Sequence, residues 1–248
     1  MSRNLRLESP TGLYHVMQRG TGKQIIFEDE NDYDRYIRKL IECRDKFHFK
    51  IIGYCLMNNH VHLLIRTDSI SILSSFMRDI GSSYAKYYNV KYDHSGHVFQ
   101  DRYLSEIIRD ERYLLECLRY IHNNPVKAGI SNRENYCWSS YNDYIYGKGI
   151  ADTEEILEIF GGSENFKVFS KERDLAVPLE CEMPDDKLAL GLTIINDELG
   201  HKYNNGFIVK KLIKEVRDKV LRRLRREGFS YKQIELLTGV SKRIIQRA

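Results

Sequence analysis

The stretch 57-MNNHVHLLIR-66 sets two histidines into what otherwise reads as a buried β-strand. Val61, Leu63, Leu64 and Ile65 are apolar and strand-prone. Side chains alternate between the faces of a strand, so His60 and His62 point the same way, roughly 6–7 Å apart along the chain. Two neutral imidazoles on one face can take adjacent positions around a cation, leaving room for a further protein ligand and for substrate oxygens.

Working outward, 50-KIIGYCLM-57 reads as the preceding strand, and Asn58-Asn59 supplies tight-turn chemistry for a hairpin. Upstream, 12-GLYHVMQR-19 alternates as a first strand, with a turn at Arg19-Gly20-Thr21-Gly22. Helical spacing of Tyr33, Tyr36, Ile37, Leu40, Ile41 and Cys43 predicts a helix over 31–47, capped by Asn31 or Asp32. Downstream come a helix over 69–89 begun by Ser69 or Ser71, and a fourth strand or bent strand pair over 95–109. A third helix over 111–124 is capped by Asp110 and stopped by Pro125. Strand, helix, strand, strand, helix, strand, helix is the order of an α+β, ferredoxin-like split β-α-β arrangement extended by one helix. The aromatic segment 136-YCWSSYNDYIYG-147 is expected to pack along the edge of that domain or to begin a linker, with a stacking surface for bases as the alternative.

The third helix, in 119-RYIHNNPVKAG-129, offers the histidines company. Tyr120 and Asn124 are four residues apart and share a face, so a helix lying across the His60/His62 strand presents a phenol and an amide together. His15, His97 and His122 lie near these motifs and read as structural.

With 248 residues the chain is long enough for a sizeable domain and a smaller one. Hydrophobic residues make up 42% and charged ones 30%, with no apolar run long enough to cross a bilayer. The start, MSRNLRLESPTGLYHV, lacks the apolar centre of a signal peptide, so a cytoplasmic location is expected. Cys43, Cys55, Cys117, Cys137 and Cys181 are odd in number and lack C-x-x-C spacing, which argues against a disulfide framework and a cysteine zinc site.

The net charge of +4 hides an asymmetry. Residues 151–200 are acidic, whereas 207–248 carries Lys210, Lys211, Lys214, Arg217, Lys219, Arg222, Arg223, Arg225 and Arg226 in quick succession. A basic terminal module of this kind meets a polyanion, most often nucleic acid. The pattern there predicts a long amphipathic helix over 207–228, with Ile208, Leu212, Ile213, Val216, Val220, Leu221 and Leu224 on its apolar side. Ser230 then caps a short helix, and Ser241 opens a last one after the Gly239-Val240 turn. Two short helices so joined make a helix-turn-helix pattern, carrying Lys242, Arg243, Gln246 and Arg247 towards DNA, including duplex DNA. A helical hairpin with ordinary charged faces is the alternative.

In order along the chain, YHVMQRG, CLMNNHVHLLI, GHVFQDRYLSEII and LRYIHNNPVKAG resemble the single-tyrosine HUH transposases, and most of all their REP-associated tyrosine transposase branch. The resemblance covers about residues 10–147. It implies a ferredoxin-like fold, a histidine pair holding Mg2+ or Mn2+, and a helix tyrosine that cleaves single-stranded DNA beside hairpins. Carried over by position, His60 and His62 are the metal pair and Tyr120 the nucleophile. Asn124 is the third ligand, in a slot where related transposases place glutamine. Tyr113, seven residues earlier on the same face, is the competing nucleophile but has no amide four residues on. Arg19, Arg102 and Lys127 are candidate phosphate contacts.

The expected organisation is a catalytic domain over 1–147, an acidic linker or accessory region over 148–205, and a helix-turn-helix domain over 206–248. The expected function is metal-dependent cleavage and transfer of hairpin-containing single-stranded DNA through a 5′-phosphotyrosine. A hairpin-binding regulator that no longer cuts, and a metal-dependent nuclease without a covalent intermediate, are the alternatives.

Overall fold

Four antiparallel strands form one sheet, in the order β2-β3-β1-β4, in a computed structural model that describes residues 7–100, 102–172, 185–200 and 206–248. The strands are β1 (Leu13–Arg19), β2 (Lys50–Met57), β3 (His60–Arg66) and β4 (Leu104–Ile107). Between them run α1 (Glu30–Phe47) and α2 (Ile70–Lys91), and α3 (Glu111–Lys127) follows β4. This is the α+β, ferredoxin-like order that the sequence predicts. β2 and β3 meet at the two-residue Asn58-Asn59 turn, whose carbonyls accept from the backbone N–H groups of Gly20, Ile26 and Phe27.

The pairing register sorts the side chains onto two faces. Tyr14 and Val16 of β1, Tyr54 and Leu56 of β2, and Val61, Leu63 and Ile65 of β3 all join a core completed by α1 and α2. The opposite face carries His15, Met17 and Arg19 of β1, paired with Leu64, His62 and His60 of β3. There α3 packs, because Leu114, Cys117, Leu118 and Ile121 form a buried stripe at helical spacing. The approach is close at Gly53, where an added Cβ would lie 2.5 Å from Leu118 Cδ1. Gly53→Ala is therefore expected to cost about 1–3 kcal/mol through overpacking, read as a lower urea midpoint at unchanged slope.

Several boundaries differ from the sequence reading. The cap of α1 is Asp29, in a reciprocal capping box with Asp32. That frees Asp32 to sit buried among Tyr87, Tyr92 and Lys91. Among the described residues of 95–109 there is one strand, β4, together with an isolated pairing of Phe99 with Gly20. Pro125 does not stop α3 but lies inside it. Proline lacks the N–H that would reach Ile121 O, and the Asn124 side chain supplies a donor there instead, at 3.4 Å, with a second bond to Tyr120 O at 3.0 Å. The helix thus continues through its last turn to Lys127.

The aromatic segment packs along the sheet edge. Leu56 N donates to Trp138 O and Ser140 N to Tyr54 O, closing the free side of β2. Trp138 stacks on Tyr33 at 4.5 Å, and α4 (Tyr141–Tyr146) buries Tyr141 and Tyr144.

The chain divides into units at 5–174 and 175–248. The acidic stretch is shared between them. Two helices, α5 (Glu154–Phe160) and α6 (Ser163–Lys171), complete the first unit: Phe166 stacks on Tyr144 at 4.5 Å, and Arg66 pairs with Glu155. A further helix, α7 (Asp185–Leu199), belongs to the second unit. Residues 173–184 and 201–205 of the expected linker, and Cys181, lie outside the described residues.

In the second unit the predicted helix over 207–228 is broken. A short 3-10 turn over Gly206–Lys211 precedes α8 (Lys214–Arg226), and Ile213 between them is extended. The break turns Val209 inwards to join Val220, Leu221 and Leu224, and leaves Ile213 70% exposed although helical spacing assigns it to the apolar side. Ser230 caps α9 (Tyr231–Thr238) with a capping box to Gln233. Gly239 ends α9 in the left-handed conformation, and Ser241 precedes α10 (Lys242–Ile245). Among the described residues no helix is long and apolar enough to cross a membrane.

Candidate active site

Tyr120, half-buried on α3, stands over β3 with its ring 5.7 Å from that of His62 and nearly perpendicular to it. This follows from the stripe that docks the helix: once Cys117, Leu118 and Ile121 are buried, residue 120 faces the histidine end of the strand. One turn later, the Asn124 side chain lies within hydrogen-bonding reach of His60. Both hydrogens of its amide nitrogen are taken by the carbonyls of Tyr120 and Ile121, so its oxygen is the atom that faces the imidazole. Lys127 completes the face, its ammonium 4.1 Å from the centre of the Tyr120 ring.

The histidines are held from behind. His60 Nδ1 is 2.6 Å from Asn59 Oδ1, an acceptor, so this nitrogen carries the hydrogen and Nε2 keeps a lone pair. His62, 1% exposed, has its Nδ1 2.9 Å from Nε2 of His15. His15 in turn lies across from Glu106 on β4, with Nδ1 3.8 Å from the carboxylate. Tyr113 donates its hydroxyl to the other oxygen of Glu106.

Burial holds the rings neutral. It lowers His15 to about 3 and His60 to about 4, the latter helped by the charge of Arg19 and opposed by the Asn124 side chain. His62 falls well below the usual range through burial and then through repulsion from His60, His15, Arg19 and Lys127. His122, buried and 2.8 Å from Ser140 Oγ, is lowered to about 3. These folded values lie below that of an exposed histidine, near 6.5, so between the two the unfolded chain binds more protons. Stability is therefore complete above about pH 7 and falls on acidification towards pH 4, by roughly 1.4 kcal/mol per pH unit for each ring that stays neutral. A urea midpoint that stays level from pH 7 to pH 4 would contradict the burial of these rings.

The donor set suits a divalent cation. The Nε2 lone pair of His60 and the amide oxygen of Asn124 are both groups that can donate an electron pair to a cation. Imidazole nitrogen with an amide oxygen is a donor set open to first-row divalent ions. Among the described residues no cluster of three His, Cys, Asp or Glu side chains offers a competing site.

The sequence-predicted residues thus separate. His60, His62, Tyr120 and Asn124 come together, and the charges of Arg19 and Lys127 act on the histidines. Arg102 lies exposed on the segment entering β4. Lys242, Arg243, Gln246 and Arg247, in the other unit, are all exposed. Tyr113 is engaged with Glu106. His97 is exposed, whereas His15, which reads as structural in the sequence, lies directly behind His62. Glu106 carries no signal in the sequence at all. Only the register of β1 against β3 and β4 connects those two residues to the pair, and neither has a motif of its own.

The family described as IS200-like transposase matches residues 10–124, a span that holds every one of the residues gathered on this face except Lys127. A Haemophilus influenzae protein named as a REP-associated tyrosine transposase is 26% identical over 136 residues, covering 50% of this chain and 73% of its own. A solved REP-associated tyrosine transposase bound to a REP hairpin shares the fold, with a TM-score of 0.52 at 18% identity, covering 60% of this chain and 88% of its own. The likeness to REP-associated tyrosine transposases read from the motifs is thereby upheld, and it is carried by residues 10–124, which match the IS200-like transposase family.

Proposed function

We propose that this chain cleaves and rejoins single-stranded, hairpin-containing DNA through a covalent bond between Tyr120 and the 5′ phosphate. The observation that carries the reading is the placement of the Tyr120 phenol on the same side of the sheet as the two neutral histidines and the Asn124 oxygen. The hairpin held by the solved relative of the same fold supports a hairpin substrate.

In the proposed reaction the phenolic oxygen of Tyr120 attacks the scissile phosphorus. The bond from phosphorus to the 3′ oxygen breaks, that oxygen takes up a proton, and the phenol has given one up. The products are a phosphotyrosine at the 5′ end and a free 3′-OH. The covalent bond conserves the phosphodiester, so another 3′-OH can reverse the step and join strands. His60, His62 and Asn124 would hold Mg2+ or Mn2+, which when bound offsets charge building on the phosphate. Arg19, Arg102 and Lys127 would contact phosphate oxygens of the strand.

Wild-type protein with labelled hairpin DNA and Mn2+ should leave a protein–DNA adduct that survives denaturing electrophoresis. Cleavage without an adduct would favour the hydrolytic nuclease, and binding without cleavage the regulator.

The second unit is proposed to add affinity as a helix-turn-helix. Its capped α9, left-handed Gly239 and basic α10 support that reading. Changing Lys242, Arg243, Gln246 and Arg247 together to alanine should weaken target binding and flatten the dependence of log K on log salt. The slope should fall by roughly 0.7–0.9 for each phosphate that is no longer neutralised, while cleavage at saturating DNA is retained. An unchanged slope would remove the helix-turn-helix assignment.

A further inference from the structure

From His62 a chain of polar groups runs back through His15, Glu106 and Tyr113, three residues that the proposed reaction does not itself use. It crosses three strands and a helix, and its members come from sequence positions with no local relation to one another. Glu106 lies directly across from His15 in the β1–β4 register, and His15 is close to His62 across the β1–β3 pairing, where His62 faces Met17. His15 is 0% exposed, His62 1% and Glu106 5%. The rings of His15 and His62 lie within 15° of parallel, their centres 5.1 Å apart.

The placement of hydrogens along this chain is set from its far end, by the charge of Glu106. A carboxylate only accepts, and one oxygen of Glu106 already receives the hydroxyl of Tyr113. The His15 nitrogen that faces the other oxygen, Nδ1, is 3.8 Å away, too far for a hydrogen bond, but the negative charge repels a lone pair directed at it and so favours hydrogen on Nδ1. A neutral imidazole has one donor and one acceptor, which leaves Nε2 of His15 as an acceptor. That atom is 2.9 Å from Nδ1 of His62, so Nδ1 of His62 is the donor. The lone pair of His62 then lies on Nε2. With the opposite order of bonds, Nε2 of His62 would carry hydrogen and could not bind a metal.

We propose that Glu106, acting through His15, fixes the tautomer of His62 and so keeps its Nε2 lone pair directed into the site. Both are positioning residues that touch neither substrate nor metal. The inference deepens the metal-site reading above and rests on it for its consequence, although the tautomer itself is a property of the metal-free protein. Tyr113 acquires a role too: its hydroxyl holds the carboxylate in place, which accounts for a second tyrosine on the same helix face as Tyr120. Partners of this kind behind a ligating histidine commonly contribute 10–100-fold to metal affinity.

The test uses the full chain, free of metal and DNA, with nitrogen-15 and proton multiple-bond NMR of its histidine rings, assigned through a His62→Gln variant. Mn2+ titration of the same samples, read by the EPR signal of free Mn2+, gives the affinity. Wild type should show His62 with hydrogen on Nδ1. Glu106→Gln keeps the shape but removes the negative charge that favours hydrogen on Nδ1 of His15; His62 should lose its exclusive Nδ1–H form and the Mn2+ dissociation constant should rise about 10–100-fold. His15→Gln offers an oxygen where Nε2 stood, so it should retain the Nδ1–H form and bind Mn2+ within a few-fold of wild type. Wild-type His62 in the Nε2–H form overturns the proposal, as does a folded Glu106→Gln protein with tautomer and affinity unchanged. Should Glu106→Gln fail to fold, the wild-type tautomer and the His15→Gln pair of measurements decide. Mn2+ binding that is equally weak in wild type and His60→Ala, with His62 still Nδ1–H, would overturn the metal reading and leave the tautomer assignment standing.

Discussion

Tyr120→Phe is expected to abolish cleavage of single-stranded hairpin DNA, by about a thousandfold or more, and to remove the covalent adduct while hairpin binding stays within a few-fold of wild type. The substitution deletes one oxygen and keeps the ring, so the edge contacts with His62 and His15 and the face offered to Lys127 survive. Only the atom that would attack phosphorus is removed, and no neighbouring group replaces a missing nucleophile at comparable rate. Tyr113→Phe is the informative control. Tyr113 lies seven residues earlier on α3 with its hydroxyl donated to Glu106, and its replacement should leave the adduct in place. Adduct retained in Tyr120→Phe and absent in Tyr113→Phe would transfer the nucleophile to Tyr113. Cleavage retained in Tyr120→Phe without any adduct would establish a water-activating nuclease.

His60→Ala and His62→Ala should each remove Mn2+ binding and cleavage. Each deletes one of the two imidazoles proposed to hold the metal, and the groups behind them are already committed to hydrogen bonds. Asn124→Ala should weaken metal dependence less, because water can take the place of a neutral amide oxygen. It carries a separate cost: Ile121 O is deprived of the donor that stands in for the missing N–H of Pro125, worth about 1 kcal/mol. A His60→Ala protein as active as wild type after metal removal and restoration would rule the site out. Thermal melts of the three variants separate loss of metal from loss of the helix end.

The basic face of the second unit and the histidine face of the first are legible in the residues to different degrees. The capping box at Ser230, the glycine at 239 and the run of arginines on α8 are local features, readable because caps and turns depend on neighbours a few residues away. The break before α8 is not readable. Lys210 to Ile213 have ordinary helical propensities, and the break exists because Val209 packs into a core assembled from α7, α8 and α9. Pro125 misleads for the same reason in reverse: the rule that proline stops a helix assumes that its carbonyl partner goes unpaired, and here a side chain one residue away supplies the donor.

The residues by themselves determined the α+β order, the Asn58-Asn59 hairpin, the shared face of His60 and His62, and the shared face of Tyr120 and Asn124. Each is a statement about periodicity within one strand or one helix, and periodicity is written in the chain. That α3 crosses the sheet with Tyr120 over His62, that His15 backs His62, and that Glu106 backs His15 was decided only by the tertiary structure. Those contacts depend on strand register and on how closely α3 descends over Gly53. Register is settled by which whole faces can be buried together, and shifting one strand by a single residue would have turned every one of its side chains to the other side.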